Sequence, residues 1–256
     1  MMKPIYMSPG RKLAYASLFL ALAIVSTAVF KLIPMGNLYF LRFSLTPSII
    51  IFASIFLGPV YGAAVGGLSD LLPAFFVPTG EWNFLITIVY VLFGALPWCI
   101  NALLKKYRFL NNSFSLVIMA LVATLIFYGY AIAEGGLYAF FGEQSYIFTP
   151  IILILVALLN VGGSLLAFFR LRKKPLQRSL LLDVAAVELI VGSLMKALAF
   201  YLYLSLLASS PSVLPFIFIF AMLLMGLPLN CALDYFFVNV YVSLATKLGL
   251  NNVEVD

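Results

Sequence analysis

"LRFSLTPSIIIFASIFLGPVYGAAVGGLSDLLPAFFVPTGEW", Leu41 to Trp82, carries one arginine, one aspartate and one glutamate in an otherwise apolar run, broken at Gly58-Pro59 and again at Pro78-Thr79-Gly80. The reading of the first break decides the fold. Proline directly after glycine suits a turn better than a kink, because glycine takes the dihedrals a helix end needs and proline fits the first turn of the next helix. The expectation is a short helix at about 46–57 joined tightly to a longer one at about 59–76. The alternative is one proline-kinked helix over 47–72. A helix of 12 residues rises only about 18 Å against a hydrocarbon core of about 30 Å, so the short helix needs shelter from surrounding protein.

Outward from this stretch the composition is uniform. The 256 residues are 64% hydrophobic and 9% charged, with a mean hydropathy of +1.14. A water-soluble globule is normally about a quarter charged, so the chain is read as an integral membrane protein, an all-α polytopic helical bundle. Apolar runs fill residues 1–256 as a single transmembrane domain, and the linkers are too short for a soluble domain. The first run lacks a small-residue cleavage site and is expected to be a retained helix. Cys99 and Cys231 sit inside apolar runs and are expected to be buried packing residues. With no histidine in the chain, neither a metal nor a cofactor is expected.

The net charge of +6 comes from cations clustered between apolar runs, which marks topology and gives no reason to expect nucleic acid. Arg11 and Lys12 precede the first run, Lys105, Lys106 and Arg108 follow "LITIVYVLFGALPWCINALL", Arg170, Arg172, Lys173, Lys174 and Arg178 separate two later runs, and Lys247 follows the last. With a turn at Gly58-Pro59 these all face the cytoplasm, giving eight membrane elements with both termini inside, and only Lys31 and Arg42 face out. The kinked alternative gives seven spans and an outside N-terminus. The turn is the preferred reading.

"LTPSIIIFASIFLGPVYGAAVGGLSDLLPAFFVPTG" resembles the second and third helices of the substrate-binding S-component of energy-coupling-factor vitamin importers, most closely the folate-like branch. The resemblance rests on Pro47, Leu57-Gly58-Pro59, Gly62 and Gly66, Asp70-Leu71-Leu72 and Pro78-Thr79-Gly80. "AAVELIVGSLMKALAFYLYL" (Ala185 to Leu204) and "GLPLNCALDYFF" (Gly226 to Phe237) are similar to the family's last two helices. The resemblance implies a six-helix S-component-like core, segments 11–108 and 179–246, with two additional helices in 113–170. It also implies a mechanism: a vitamin is captured outside, and the chain docks on a transmembrane coupling protein and two cytoplasmic ATPases in the bacterial plasma membrane. The chain itself has no G-x-x-x-x-G-K-[ST] phosphate loop.

Family docking uses small residues on the first helix. Here Ala14, Ser17, Ala21 and Ala28 recur at spacings of three, four and seven, on one helical stripe where a partner backbone can approach closely. The competing reading is that they pack the helix against its own bundle. Gly62 and Gly66 are read as intramolecular helix packing.

The candidate substrate residues lie on two outer loops and two late helices. Arg42 offers a planar donor fork for a carboxylate or phosphate, with Asn37 and Tyr39 beside it; the alternative is an arginine reaching lipid headgroups. Glu81, Trp82 and Asn83 form the opposing lip, Trp82 either stacking on a flat ligand or serving as an interfacial aromatic, while Thr79 shapes the turn. Ionisable groups deep in apolar runs are costly in lipid. Asp70 is read as a structural hydrogen-bond partner, and Lys196 as either meeting an anionic ligand or neutralising Asp70, Glu188 or Asp234. Asn230 follows "LP" where the family often directs a polar residue at the ligand. Glu134 has no assigned role in this reading.

A second function class is a proton-coupled secondary transporter, with Asp70, Glu134, Glu188 and Asp234 as a carboxylate relay. An intramembrane enzyme fits poorly, since the chain has no histidine, no H-E-x-x-H and no G-x-S-x-G.

Overall fold

The computed structural model describes residues 8–32, 45–76, 82–106, 173–206 and 216–247, with short helical pieces within 117–126 and 158–170. Every element among them is helical: α1 (Pro9–Leu32), α2 (Thr46–Leu57), α3 (Pro59–Phe76), α4 (Phe84–Lys106), α5 (Pro175–Val187), a π-helical stretch (Glu188–Met195), α6 (Lys196–Leu206) and α7 (Phe216–Lys247). The expected extra pair in 113–170 falls largely outside the described residues.

The Gly58-Pro59 break is a turn, and the two helices have the expected bounds. Pro47 sits in the first turn of α2, where a missing N–H is no loss. Gly58 ends α2 with φ 104° and ψ 167°, a conformation open essentially to glycine alone. Its amide donates to the Ser54 carbonyl at 2.8 Å, and its own carbonyl accepts from Gly62 at 3.0 Å. The chain thus reverses, and α3 returns antiparallel beside α2. The kinked-helix alternative does not form.

The shortness of α2 is compensated by shelter. Every residue from Thr46 to Leu57 except Phe56 is buried, against α1, α3, α4 and α7. A helix apolar on all sides is stable only when surrounded in this way. Polar atoms tie it to its neighbours: Thr46 Oγ1 and Thr27 Oγ1 of α1 lie 2.9 Å apart, and Trp98 Nε1 of α4 donates to the Ser54 carbonyl at 2.9 Å.

Glycine sets a close crossing among the described helices. A Cβ built on Gly62 of α3 would lie 2.6 Å from Ser54 Cβ of α2 and 2.7 Å from the Gly94 carbonyl oxygen of α4, so only a bare backbone fits between them. Gly66, one turn on, faces the Tyr90 backbone on one side and Ile50 on the other. The G-x-x-x-G run therefore packs inside the chain, as expected, with Gly94 as its counterpart on α4.

These contacts fix the direction of each helix. Phe19 stacks edge-on with Phe56 and Thr27 meets Thr46, so α1 runs antiparallel to α2. Ser48 bonds Asp234 and Phe52 contacts Phe237, so α7 runs parallel to α2. Ser8, Gly58, Lys106, Lys174 and Lys247 then share one end of the bundle, the end rich in cations, and Thr46 and Trp82 lie at the other. One core, including Ile50, Ile51, Phe93, Val184 and Val191, joins α2, α4, α5 and the π stretch.

Two described segments, Pro9–Val29 and Phe84–Leu103, are long and apolar enough to cross a bilayer. Large apolar side chains such as Leu18, Leu22, Val25 and Ile88 point outward, which suits a lipid surround. Of the two cysteines, both free, Cys231 packs with Leu181, Leu182 and Ala185, whereas Cys99 is exposed on the outer side of α4 and is not the buried packing residue expected.

Candidate functional site

Polar side chains gather at three depths. At the Trp82 end, Trp82 Nε1 donates to Thr87 Oγ1 at 3.0 Å, and Thr87 Oγ1 donates to Asp70 Oδ2 at 2.6 Å, linking the start of α4 to α3. Asp70 thus makes an interhelical hydrogen bond, as its structural reading expects. Asn83 caps α4: its Oδ1 accepts from the Leu85 amide at 3.0 Å, one of the amides a helix start leaves unpaired. Trp82 is exposed and Asn83 half-buried. Asn37, Tyr39, Arg42, Thr79 and Glu81 lie outside the described residues.

The middle depth brings together two expected site residues that are distant in sequence. Asn230 Nδ2 of α7 donates to Glu188 Oε2 at 3.5 Å, and Lys196 acts on the same carboxylate electrostatically. Of the three carboxylates considered for Lys196, Glu188 is one on which it acts electrostatically. Asp234, one turn beyond Asn230, accepts a hydrogen bond from Ser48 of α2 and lies within electrostatic range of Glu188. Glu188 is 2% exposed and Asp234 0%. Glu188 Oε1 and Asp234 Oδ2 have no hydrogen-bond partner among the described residues. Such a group of buried, incompletely paired polar atoms is costly unless it has something to bind.

The local helix geometry makes room for this group. The π-helical stretch begins at Glu188, and a Cβ built on Gly192 would lie 2.5 Å from Glu188 Oε2 and 3.2 Å from Phe93 Cζ. The carboxylate therefore rests against a glycine backbone beside the Phe93 ring. π-Helical turns inside α-helices occur often at functional sites.

At the cation-rich end, Asn101 of α4 donates from Nδ2 to Asp183 of α5. Both are buried and line a small pocket with Ile51, Ile55, Pro97 and Trp98.

The expected docking stripe is open. Ala14, Ser17 and Ala21 are exposed on α1 in register with exposed Leu13, Leu18, Leu22 and Val25, and Ala28 is half-buried. The Ser17 hydroxyl donates back to the Leu13 carbonyl at 3.0 Å, leaving a smooth surface. The inner face of α1 is instead Ala16, Ala23 and Ser26, so the first three stripe residues do not pack against the described bundle.

Glu188, Asp234 and Ser48 were not singled out as ligand-binding from the sequence. The signal for Glu188 was its charge within an apolar run; its relation to Asn230 spans 42 residues and needs the fold.

An all-α bundle of apolar helices with a lipid-compatible exterior defines a membrane protein, and it carries a buried polar group at mid-depth. Residues 9–168 match the sequence model of the ECF-type riboflavin transporter S component. The match covers more than half of the chain, which therefore belongs to this family of membrane transport proteins, the substrate-binding components of energy-coupling-factor transporters. It runs through most of 113–170, the segment read from sequence as additional to the family core. No curated protein and no solved structure matches the chain.

Proposed function

We propose that the chain is the vitamin-capturing subunit of an energy-coupling-factor importer in the bacterial plasma membrane. It binds its ligand from the outside and delivers it inward together with a transmembrane coupling protein and two cytoplasmic ATPases. The observation that carries this reading is the family match combined with an exposed small-residue stripe on α1. The vitamin is of the flat heteroaromatic kind; the family's name favours a flavin, and the folate-like resemblance of residues 47–80 makes a pterin the second candidate. Trp82, Asn83, Asn230 and Lys196, with Asn37, Tyr39, Arg42, Thr79 and Glu81 from the outer loops, are the proposed ligand contacts.

The test is purification followed by absorbance and mass spectrometry of whatever small molecule remains bound, together with uptake in cells with and without the ATPase partners. A bound flavin or pterin and ATPase-dependent uptake are expected. Uptake that persists without ATPases and collapses with the proton gradient would instead indicate a secondary transporter, a reading favoured only by the proximity of Glu188 to Asp234. Asp70 pairs with Thr87, and Glu134 lies outside the described residues.

A further inference from the structure

The packing of α4 against α5 sets two cations at one level. Asn101 of α4 donates a hydrogen bond to Asp183 of α5, and the two helices run antiparallel, α4 ending and α5 beginning at the cation-rich end. Five residues from that bond toward the same end stand Lys106 on α4 and Arg178 on α5, each about 7–8 Å further along its helix. Axes of packed helices lie about 8–10 Å apart, so the two residues stand across one helix junction from each other. Lys173 and Lys174, both exposed, lead directly into α5.

Arg178 differs from the exposed lysines around it. It is half-buried, and its Nε is buried without a hydrogen-bond partner among the described residues. Lys12, at the same end on α1, has its ammonium 5.9 Å from the centroid of the Tyr61 ring. An excess of positive charge on the cytoplasmic side requires cations there, but it requires none of them to give up water without gaining a partner. A guanidinium so placed needs an oxygen acceptor, and a phosphate matches its planar fork. Beside it, Gln177 Oε1 is a buried acceptor that also lacks a partner among the described residues, and it needs a donor.

The depth of these groups names the occupant. At the cytoplasmic end of a membrane-spanning bundle, the phosphates within reach are those of the inner leaflet. α5 is buried from Leu180 to Ala185, so only its start reaches the surface. α4 carries Cys99, Leu103 and Lys106 exposed along one face, at spacings of four and three. An acyl chain laid along that apolar strip brings its headgroup to Lys106.

We infer that the junction of α4 and α5 binds one anionic phospholipid of the inner leaflet with a hydroxyl-bearing headgroup, of the phosphatidylglycerol kind. Arg178 and Lys106 hold its phosphate, and Gln177 accepts a hydrogen bond from a headgroup hydroxyl. Lys173 and Lys174 add general attraction, as do the amides that the start of α5 leaves unpaired. The site uses none of the residues proposed to meet the vitamin or the coupling protein.

The test uses the full-length protein, delipidated in detergent, and native mass spectrometry with probes of identical acyl chains. The wild type is expected to retain one phosphatidylglycerol in preference to phosphatidylcholine by about tenfold or more, the effect of one charge-assisted hydrogen bond. Arg178→Gln is expected to bring the two lipids within about threefold of each other, and Arg178→Lys to keep part of the preference, since the charge remains and the fork is lost. Arg11→Gln removes a cation from the same end on α1 and is expected to leave the preference unchanged. A loss in Arg11→Gln as large as that in Arg178→Gln would show diffuse surface charge and overturn the site, as would equal retention of the two lipids by the wild type. Should Arg178→Gln fail to fold, Lys106→Gln carries the same test, and an undiminished preference there overturns the inference. Phosphatidylmethanol keeps the charge and lacks the hydroxyls; binding equal to that of phosphatidylglycerol would overturn the role of Gln177. Displacement of phosphatidylglycerol by an excess of glycerol 1-phosphate would overturn the lipid as occupant.

Discussion

Thr87 of α4 donates a hydrogen bond to Asp70 of α3 at 2.6 Å, and the same hydroxyl receives the indole N–H of Trp82 at 3.0 Å. An aspartate inside an apolar helix is thereby tied to its neighbour, with the start of α4 held in the same chain of bonds. Interhelical hydrogen bonds in membranes contribute about 0.6 kcal/mol on average and up to about 1.7. Thr87→Val is therefore expected to lower the unfolding free energy in detergent by about 0.5–2 kcal/mol. A tenfold loss of affinity at unchanged stability would place Asp70 and Thr87 in the binding site.

The exposed stripe on α1 separates binding from transport. Ala21→Trp is expected to abolish vitamin uptake in cells and to leave binding by the purified protein near normal, because residue 21 faces away from the described core. Isothermal titration and a cellular uptake assay on the same variant decide it. Parallel loss of both would mean that α1 packs this face against the chain's own bundle.

Helix directions predict the side on which the first helix begins. Ser8 lies at the end that also carries Lys106, Lys174 and Lys247, the end the excess of cations assigns to the cytoplasm. A cysteine at Ser8, in a background without Cys99 and Cys231, should react with a membrane-impermeant maleimide only after the cells are opened. Labelling in intact cells would overturn the orientation.

The hairpin was legible in the sequence because its cause is local: a Gly-Pro pair dictates a stop and a start over two residues. The inward role of Gly62 and Gly66 was legible for a similar reason, since small residues four apart mark a close approach, although Gly94 on the opposite helix was visible only once α3 and α4 were set side by side. For Lys196 the sequence leaves an anionic ligand or one of three carboxylates as its partner, and the fold brings it within electrostatic range of one of them, Glu188. What sequence left out is long-range. Ser48 and Asp234 are 186 residues apart, Asn101 and Asp183 are 82 apart, and nothing in either apolar run names its partner. The π-helical stretch is a further case: Glu188 to Met195 reads as ordinary helix, and the wider turn shows only with Glu188 and Gly192 in place.

Gly58 and Gly62 allow backbone strain and steric crowding to be separated within four residues. A Cβ on Gly58 would meet nothing within 4 Å, but the φ of 104° is one that L side chains rarely adopt. Gly58→Ala should therefore cost about 1–3 kcal/mol through the backbone alone. A Cβ on Gly62 faces the opposite situation, ordinary helical dihedrals but Ser54 Cβ at 2.6 Å and the Gly94 carbonyl at 2.7 Å. Gly62→Ala must push α3 away from both α2 and α4, and overpacking of this kind costs about 1–3 kcal/mol or more. The two are told apart by a second substitution. Ser54→Gly removes the nearest atom that Gly62→Ala would strike, leaving the Ser54 Cα and the Gly94 carbonyl oxygen at 2.7 Å, and should restore a small part of its loss, whereas it should do nothing for Gly58→Ala, whose strain has no neighbour to relieve it. Thermal unfolding of the four variants in one detergent measures this. Rescue of Gly58→Ala by Ser54→Gly would show that the turn is held by packing and that the Gly-Pro pair is not what reverses the chain.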